Sequence, residues 1–458
     1  MNEVKRNPLG EEKIGTLLRQ FAIPSIIAML VSALYNMVDQ FFIGNSIGML
    51  GNAATNVAFP LTTTSTALAL LCGIGGAANF NISMGRKEPE KARRYMGAAF
   101  TMLLTLGIVL CIGARTFLEP MLNLFGATAD VLPYAMTYTG ITSFGFPFLI
   151  LTTGGTNLIR GDGSPKYAMA CSLIGALLNT ILDPLFIFVF DWGMAGAAWA
   201  TVIGQVASGL MVLFYLPRFK TLKLELSDMR LSKTYCLPIF ALGLTSFFNQ
   251  LSMMVVQVVL NNTMTHYGAL SVYGSEIPLA CSGIVSKVGM IFFSVVIGLV
   301  QAMQPIVSFN YGAGNFKRVK ETVILACKAA AVICIIGFLC FQIFPREIIG
   351  FFGSGSEEYF NFAERYFRIY MFFICVNFLQ PVSSTFFTAV GMPKRGVFLS
   401  LTRQIIFLLP LLVVLPIFFG IDGAMYSAPI ADFFAAVLAV VFLRAQFKSM
   451  PAFDSNEN

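Results

Sequence analysis

The chain has 458 residues, of which 57% are apolar and 12% charged, with 45 Phe and a formal net charge of +7. A soluble domain carries roughly 25% charged residues, so this composition, with a mean hydropathy of +0.76, excludes a water-surrounded globule. Apolar runs of about twenty residues suit spanning helices, an open sheet would leave backbone groups unpaired in hydrocarbon, and the alternation of a barrel strand is missing. The class is an all-α membrane protein.

The first run begins near Arg19, is longer than a signal-peptide core and has no small-residue cleavage site behind it, so it is read as a retained helix. Twelve runs follow in order, near 20–44, 53–84, 95–114, 131–158, 166–190, 194–216, 236–262, 271–310, 320–344, 358–390, 396–418 and 422–445. The second, eighth and tenth are long for one crossing, which predicts tilt, a kink or an interfacial extension. With twelve spans, 23 Lys and Arg (from Lys5, Arg6, Lys13 and Arg19 through the Arg86–Arg94 cluster and Arg160 to Lys448) share the side of both termini, against Arg115 and Arg346 opposite. By the positive-inside rule both termini are cytoplasmic in a bacterial cytoplasmic (inner) membrane. Topology thus explains the basic balance, and no nucleic-acid partner is needed.

The two halves repeat. Gly163-Ser-Pro-Lys166 recurs as Gly391-Met-Pro-Lys394, Gly193-Met-Ala-Gly196 as Gly420-Ile-Asp-Gly423, and Gly85 as Gly312, at offsets of 227 or 228 residues. Near the start Pro24 and Ser32 answer Pro238 and Ser246. The matched loops share one side, which implies two parallel six-helix halves about an axis along the membrane normal. The expected organisation is a cytoplasmic N-terminal segment 1–19, an N-lobe 20–217, a cytoplasmic linker 218–234, a C-lobe 235–446 and a cytoplasmic tail 447–458. Within the linker, Leu222-Lys-Leu-Glu-Leu226 reads either as a short interfacial piece or as plain connection.

Charge inside a span is costly, about 2.5–3.5 kcal/mol at the centre even on lenient scales. Asp39 lies in the first run and Asp183 in the fifth, within Asn179-Thr-Ile-Leu-Asp183-Pro184. Asn179 and Asp183 share a helix face at i, i+4, and Pro184 leaves the Thr180 carbonyl without its helical donor. A carboxylate, an amide and a free carbonyl within one turn suit Na⁺, and adjacent carboxylates suit a shared proton. A lone Asp is as readily a buried structural acceptor or a residue at a wet helix end. Two in one half favour a site, because the repeat positions in the other half, near Met253 and Leu411, are apolar. Glu276 and Asp432 are further candidates for the same cavity, or partners for cations such as Lys287 and Arg403.

Nine cysteines lie almost all in apolar runs without a C-x-x-C pair, and His266 is the single histidine, so neither a metal centre nor a disulfide framework is expected. No G-x-x-x-x-G-K-[ST] and no Ser/His/Asp constellation occurs, which argues against an ATP-driven pump and against an enzyme.

Three stretches carry a family likeness: Tyr35-Asn-Met-Val-Asp39-Gln-Phe-Phe-Ile-Gly44 following Pro24, Gly161-Asp-Gly-Ser-Pro-Lys166 leading to Asn179-Thr-Ile-Leu-Asp183-Pro, and Gln304-Pro305 through Asn310-Tyr-Gly-Ala-Gly-Asn315. Over essentially its full length the chain resembles the multidrug and toxic compound extrusion (MATE) family, in particular its MepA-like bacterial branch. The resemblance implies two six-helix lobes around a central cavity, alternating access, and export of cationic or amphipathic compounds in exchange for H⁺ or Na⁺ without a cofactor. It also implies an N-lobe cation site at Asp39, Asn179, Asp183 and Thr201. Tyr35 and Asn36, one turn before Asp39, with Gln205 and Glu276, are read as possible supporting residues and Pro24 as a hinge. Some relatives place acids on the seventh and tenth helices, where this chain has Gln257 and Asn377. The expected partners are small-molecule substrates and membrane lipids, and the expected state is a monomer. A lipid-linked-precursor flippase of the same superfamily is the alternative; it calls for a strongly basic cavity, and only Lys287, Lys328 and Arg403 lie mid-span.

Overall fold

The computed structural model describes residues 8–352 and 356–451; the outermost parts of the expected terminal segments, Lys5 and Arg6 included, lie outside the described residues. The first three crossings are α1 (Ile14–Ile47), α2 (Met49–Gly85) and α3 (Pro89–Thr116). The fourth is split into α4 (Leu132–Thr142) and α5 (Phe146–Gly161). The fifth, α6 (Pro165–Pro184), runs on through a π-helical stretch at Leu185–Val189 into α7 (Gly193–Tyr215). In the second half follow α8 (Lys233–Ala269), α9 (Glu276–Gly312) and α10 (Phe316–Ile343), then the split pair α11 (Glu357–Tyr370) and α12 (Leu379–Ala389). The chain ends with α13 (Pro393–Leu401), joined by a π-helical segment to α14 (Leu409–Phe419), and α15 (Ile421–Ser449).

Among the described residues ten helical segments are long and apolar enough to cross a membrane, and the two split pairs complete twelve crossings. The breaks have a common cause. Pro147 and Pro381 have no N–H to give to the carbonyls four residues earlier, Ser143 and Asn377, and the helix gives way there to a 3₁₀ turn at Ser143–Gly145 and to successive turns over 371–378. The break at 143–145 and the start of the break at 371–378 are themselves repeat-related. The length of the second and eighth runs is real: α2, α8 and α9 have 37 residues each, about 55 Å of helix for a hydrocarbon core of about 30 Å.

The packing exchanges helix ends between halves. Leu17, Leu18, Phe21 and Ala22, in the first part of α1, belong to a core built otherwise from α9, α10, α12, α13 and α15. Conversely Ile239, near the start of α8, is buried among α2, α3 and α5. The crossings are close enough to require glycine: a Cβ on Gly243 would strike the Leu71 carbonyl, and one on Gly298 would lie 2.6 Å from Ile26 Cα. At the ends of α2 and α9 the repeat-related pair Gly85 and Gly312 meet, each facing the backbone of the other helix at Phe309 and Ile82. Gln304 Nε2 donates to the Ile74 carbonyl at 3.2 Å across the same seam. Asn310 and Arg318 hold the N-terminal segment there, with Nδ2 to the Leu9 carbonyl at 2.9 Å and Arg318 Nη2 to the Glu12 carbonyl at 2.7 Å. This end of the molecule is closed.

The linker is neither a plain connection nor a free interfacial piece. Buried Asp162 accepts from the Lys220 N–H at 2.8 Å, the Thr221 N–H at 3.1 Å, the Thr221 hydroxyl and the Tyr215 hydroxyl at 2.7 Å. Further on, Arg93 pairs with Asp228 at 2.9 Å and Glu225 at 3.3 Å. The segment is thereby strapped across α3 of the first half. Arg160 also departs from its reading as a loop charge: it is 4% exposed and donates to Asn157 Oδ1 at 2.9 Å.

Candidate functional site

Asp39 sits on the face of α1 that also buries Ile43, and Asp183 closes α6 just before Pro184. Both carboxyls are buried, Asp39 at 9% and Asp183 at 0% exposure, and they face each other at hydrogen-bonding range. Asn179, 2% exposed, bridges Asp183 to α7: its amide nitrogen lies 3.3 Å from Asp183 Oδ1 and 3.3 Å from Thr201 Oγ1. With the amide turned over, the nitrogen donates to Asp183 Oδ2 at 3.2 Å and the oxygen accepts from the Thr201 hydroxyl at 3.3 Å. Either way four residues from three helices converge on one oxygen-rich point. The close approach of α6 to α7 depends on Gly175 and Gly204, each facing the other helix's backbone.

Asp39 Oδ1 is buried with no donor, and no ion pair involving either acid forms among the described residues. Two ionised carboxylates in such a place repel each other and lose hydration, so the site calls for a positive charge from outside. Carboxylate, amide and hydroxyl oxygens are hard donors, and a proton or Na⁺ meets that need.

The supporting residues divide. Tyr35 stands near both acids. Asn36 is turned back on its own helix, donating to the Ser32 carbonyl at 2.6 Å. Gln205 packs against Gly145 in the break of the fourth crossing, its Oε1 without a donor. Glu276 does not join the cluster: it is the exposed first residue of α9. Tyr138 of α4 also stands beside Thr201 and near both carboxyls; sequence spacing does not reach it, because it approaches from a different helix.

In the second half Asp432 pairs with Arg403 at 2.5 Å and accepts from Asn377 Nδ2 at 3.4 Å. It is therefore a compensated acid and not a second open carboxylate, and Gln257 is occupied with Asn261 at 2.9 Å. Pro24 is buried inside an unbroken α1.

The MatE family model matches residues 24–185 and 242–414, one stretch in each half. The chain belongs to the MatE family. Curated relatives include the multidrug export protein MepA of Staphylococcus aureus strain MRSA252, 23% identical over 429 residues that cover 93% of this chain and 92% of MepA. The MepA of Staphylococcus haemolyticus is 24% identical over 431 residues, covering 94% and 93%. Among solved structures, an outward-facing multidrug resistance MATE transporter superposes with a TM-score of 0.90 at 22% identity, covering 98% of this chain and 99% of its own. A MATE protein solved in a bent conformation gives 0.87 at 22% identity, covering 95% and 96%; the straight conformation gives 0.90 at 22%, covering 97% and 98%. This MatE chain shares their fold from end to end.

Proposed function

We propose that the chain is a secondary active multidrug efflux antiporter that exports cationic or amphipathic compounds in exchange for H⁺ or Na⁺. The carrying observation is the facing pair Asp39 and Asp183, buried with Asn179 and Thr201 and in no ion pair among the described residues. Relatives named as multidrug export proteins support the substrate class. The N-lobe (20–217) holds the ion site, the C-lobe (235–446) carries the compensated Arg403–Asp432 pair, and the strapped linker (218–234) joins them. Both termini, the 1–19 segment and the 447–458 tail, face the cytoplasm, so the closed Gly85–Gly312 end is the cytoplasmic gate and the structure is outward-facing. The protein works as a monomer in the bacterial inner membrane with no cofactor; the coupling ion is cargo.

The packing suggests how ion binding reaches the gate. Pro24 lies between Phe21 and Ala22, which are held in the second half's core, and Asp39, which is held in the first. A proton or Na⁺ at Asp39 and Asp183 removes their mutual repulsion and draws the outer part of α1 toward α6, with Pro24 as hinge. One charge moving down the membrane potential supplies about 2.3 kcal/mol per 100 mV, enough for roughly tens-fold accumulation of a neutral exchange partner.

Export of ethidium from everted vesicles under an imposed Na⁺ or pH gradient tests the reading and identifies the ion. Asp39→Asn and Asp183→Asn each abolish export while the protein remains in the membrane; wild-type export by both variants sinks the assignment. The flippase alternative is disfavoured because, of the three mid-span cations, only Lys287 lines the cavity between the halves. Lys328 is on an exposed face of α10 and Arg403 is paired.

A further inference from the structure

At the closed end, where α2 gives way to α3, these two helices and the start of α8 enclose a cavity of about 280 Å³, just below the range of drug-sized ligand pockets, about 300–1,000 Å³. Arg86, Glu88 and Lys91 supply its charges, and Tyr95 and Tyr235 line it with their rings 5.1 Å apart, edge to face. The three charged groups all stand near Tyr95. Lys91 neutralises Glu88 at 3.0 Å, so the charge left over is Arg86, an exposed residue whose side chain is in no ion pair or hydrogen bond among the described residues. The hydroxyls of Tyr95, Tyr235 and Thr234 are likewise unpaired among the described residues. Arg94, 6.0 Å from the Tyr235 ring centre, adds a further cation beside them. Unspent donors therefore surround a net positive charge.

The repeat-related place in the second half is filled from within. At an offset of 227 residues, Ala313 and Thr322 stand where Arg86 and Tyr95 stand, and Arg318 where Lys91 stands. Arg318 is spent on the N-terminal segment, donating to the Glu12 carbonyl at 2.7 Å and the Leu9 carbonyl at 3.3 Å. In the first half the linker does not play that part: it is strapped to Arg93, which at 100° per residue projects from the face of α3 opposite Lys91 and Tyr95.

We infer that this cavity binds a phosphate ester, supplied by the headgroup of an anionic glycerophospholipid from the leaflet at the closed end. A guanidinium and phenol hydroxyls offer a phosphate oxyanion charge-assisted hydrogen bonds, and basic pockets between spanning helices suit anionic headgroups. A lipid is favoured over a free anion by α8, where Leu237, one turn on from Thr234 and on the same face, is 63% exposed and offers apolar surface to acyl chains. Only the choice of leaflet rests on the cytoplasmic assignment of the closed end. Binding is read without transport, so it stands or falls apart from the antiporter reading.

The test titrates the full-length protein, purified in dodecyl maltoside, with dioleoyl phosphatidylglycerol, with dioleoyl phosphatidylcholine and with inorganic phosphate. Native mass spectrometry reads bound lipid, and the thermal midpoint reads phosphate. The wild type takes up phosphatidylglycerol in preference to phosphatidylcholine. Arg86→Gln weakens that binding about tenfold, as expected for a lost hydrogen bond between charged partners; Arg86→Lys keeps most of it. Glu88→Gln, which frees Lys91, tightens it severalfold. Lys394→Gln removes an equal charge from an exposed position at the start of α13 and leaves it unaltered. Unchanged binding in both Arg86→Gln and Glu88→Gln overturns the inference, as does an equal loss in Lys394→Gln, which would reduce it to net charge. Arg86-dependent stabilisation by inorganic phosphate with no preference for phosphatidylglycerol assigns the cavity to a soluble anion and overturns the lipid as its source.

Discussion

Asp432 holds in the second half the place that Gln205 holds in the first, 227 residues earlier, and Arg403 neutralises it at 2.5 Å. The two halves have thus resolved the same interior position differently. In the first half a neutral amide stands one turn from Thr201, beside the open carboxylate pair Asp39 and Asp183. In the second half the acid is already matched by a fixed cation, so it has no vacancy for a mobile one. Removing one partner of a buried pair leaves an uncompensated charge, costing about 3–5 kcal/mol. Arg403→Leu alone should therefore lower the thermal midpoint of the detergent-solubilised protein and reduce its yield. Arg403→Leu with Asp432→Asn should recover both, and should retain ethidium export; loss of export in a well-folded double variant would assign the pair to transport.

Around Asp183 the supporting contacts rank by what they leave behind. Thr201→Val removes one hydroxyl that touches Asn179 at 3.3 Å and keeps the volume, so export weakens severalfold and the ion dependence shifts to higher concentration, by about 1 kcal/mol for one hydrogen bond. Asn179→Leu removes the bridge itself and leaves Asp183 without its side-chain donor, so export falls to the level of Asp183→Asn. Initial rates against Na⁺ or H⁺ concentration separate the two, and equal behaviour of both variants would remove Asn179 from the site.

The closed end rests on the absence of two side chains. A Cβ at Gly312 would land on the Ile82 carbonyl and one at Gly85 on the Phe309 carbonyl, backbone atoms that cannot rotate aside. Gly312→Val should hold this end ajar and favour the state open on that side. Amide exchange over 80–86 and 308–313 should accelerate relative to wild type, and export should fall. Unaltered exchange in both segments would show that the seam is not the gate.

Much of this is legible in the amino-acid sequence, and the rest is hidden for identifiable reasons. Twelve runs and their Lys and Arg placement follow from hydropathy alone, and Asp39 and Asp183 stand out because charge in a span is expensive. Asn179 follows from i, i+4 spacing. Tyr138 does not, because it approaches from α4, and periodicity along one helix is silent on which residues of another helix face it. The exchange of helix ends between halves is also silent in the sequence: Phe21 and Ile239 read as ordinary apolar residues of their own runs, and which core receives them is settled by crossing geometry at Gly243 and Gly298. Arg160 reads as a loop charge by position, although the adjoining Asn157 provides an acceptor that lets it lie buried.

The linker yields the remaining prediction, because its charges are arranged to hold it down. Asp228 is 1% exposed and its partner Arg93 is 29% exposed, so the pair is buried on one side only. Arg93→Ala strands the Asp228 carboxylate, a loss of about 1–3 kcal/mol once the exposure of Arg93 is allowed for. Asp162→Ala removes the acceptor shared by the Lys220 and Thr221 N–H groups and by the Tyr215 hydroxyl, which keeps Ser164 Oγ at 2.7 Å. Either change should loosen the strap, so that the backbone at Lys220, Lys223 and Arg230, whose side chains are already exposed, becomes mobile enough for trypsin to cut. Cleavage at those sites then separates two fragments at least severalfold faster than in wild type, whereas Lys91→Ala, which breaks an exposed pair with Glu88 at 3.0 Å, leaves the rate unaltered. If all three variants are cut at the wild-type rate, the strap is held by apolar packing of Leu222 and Leu224 and not by its charges.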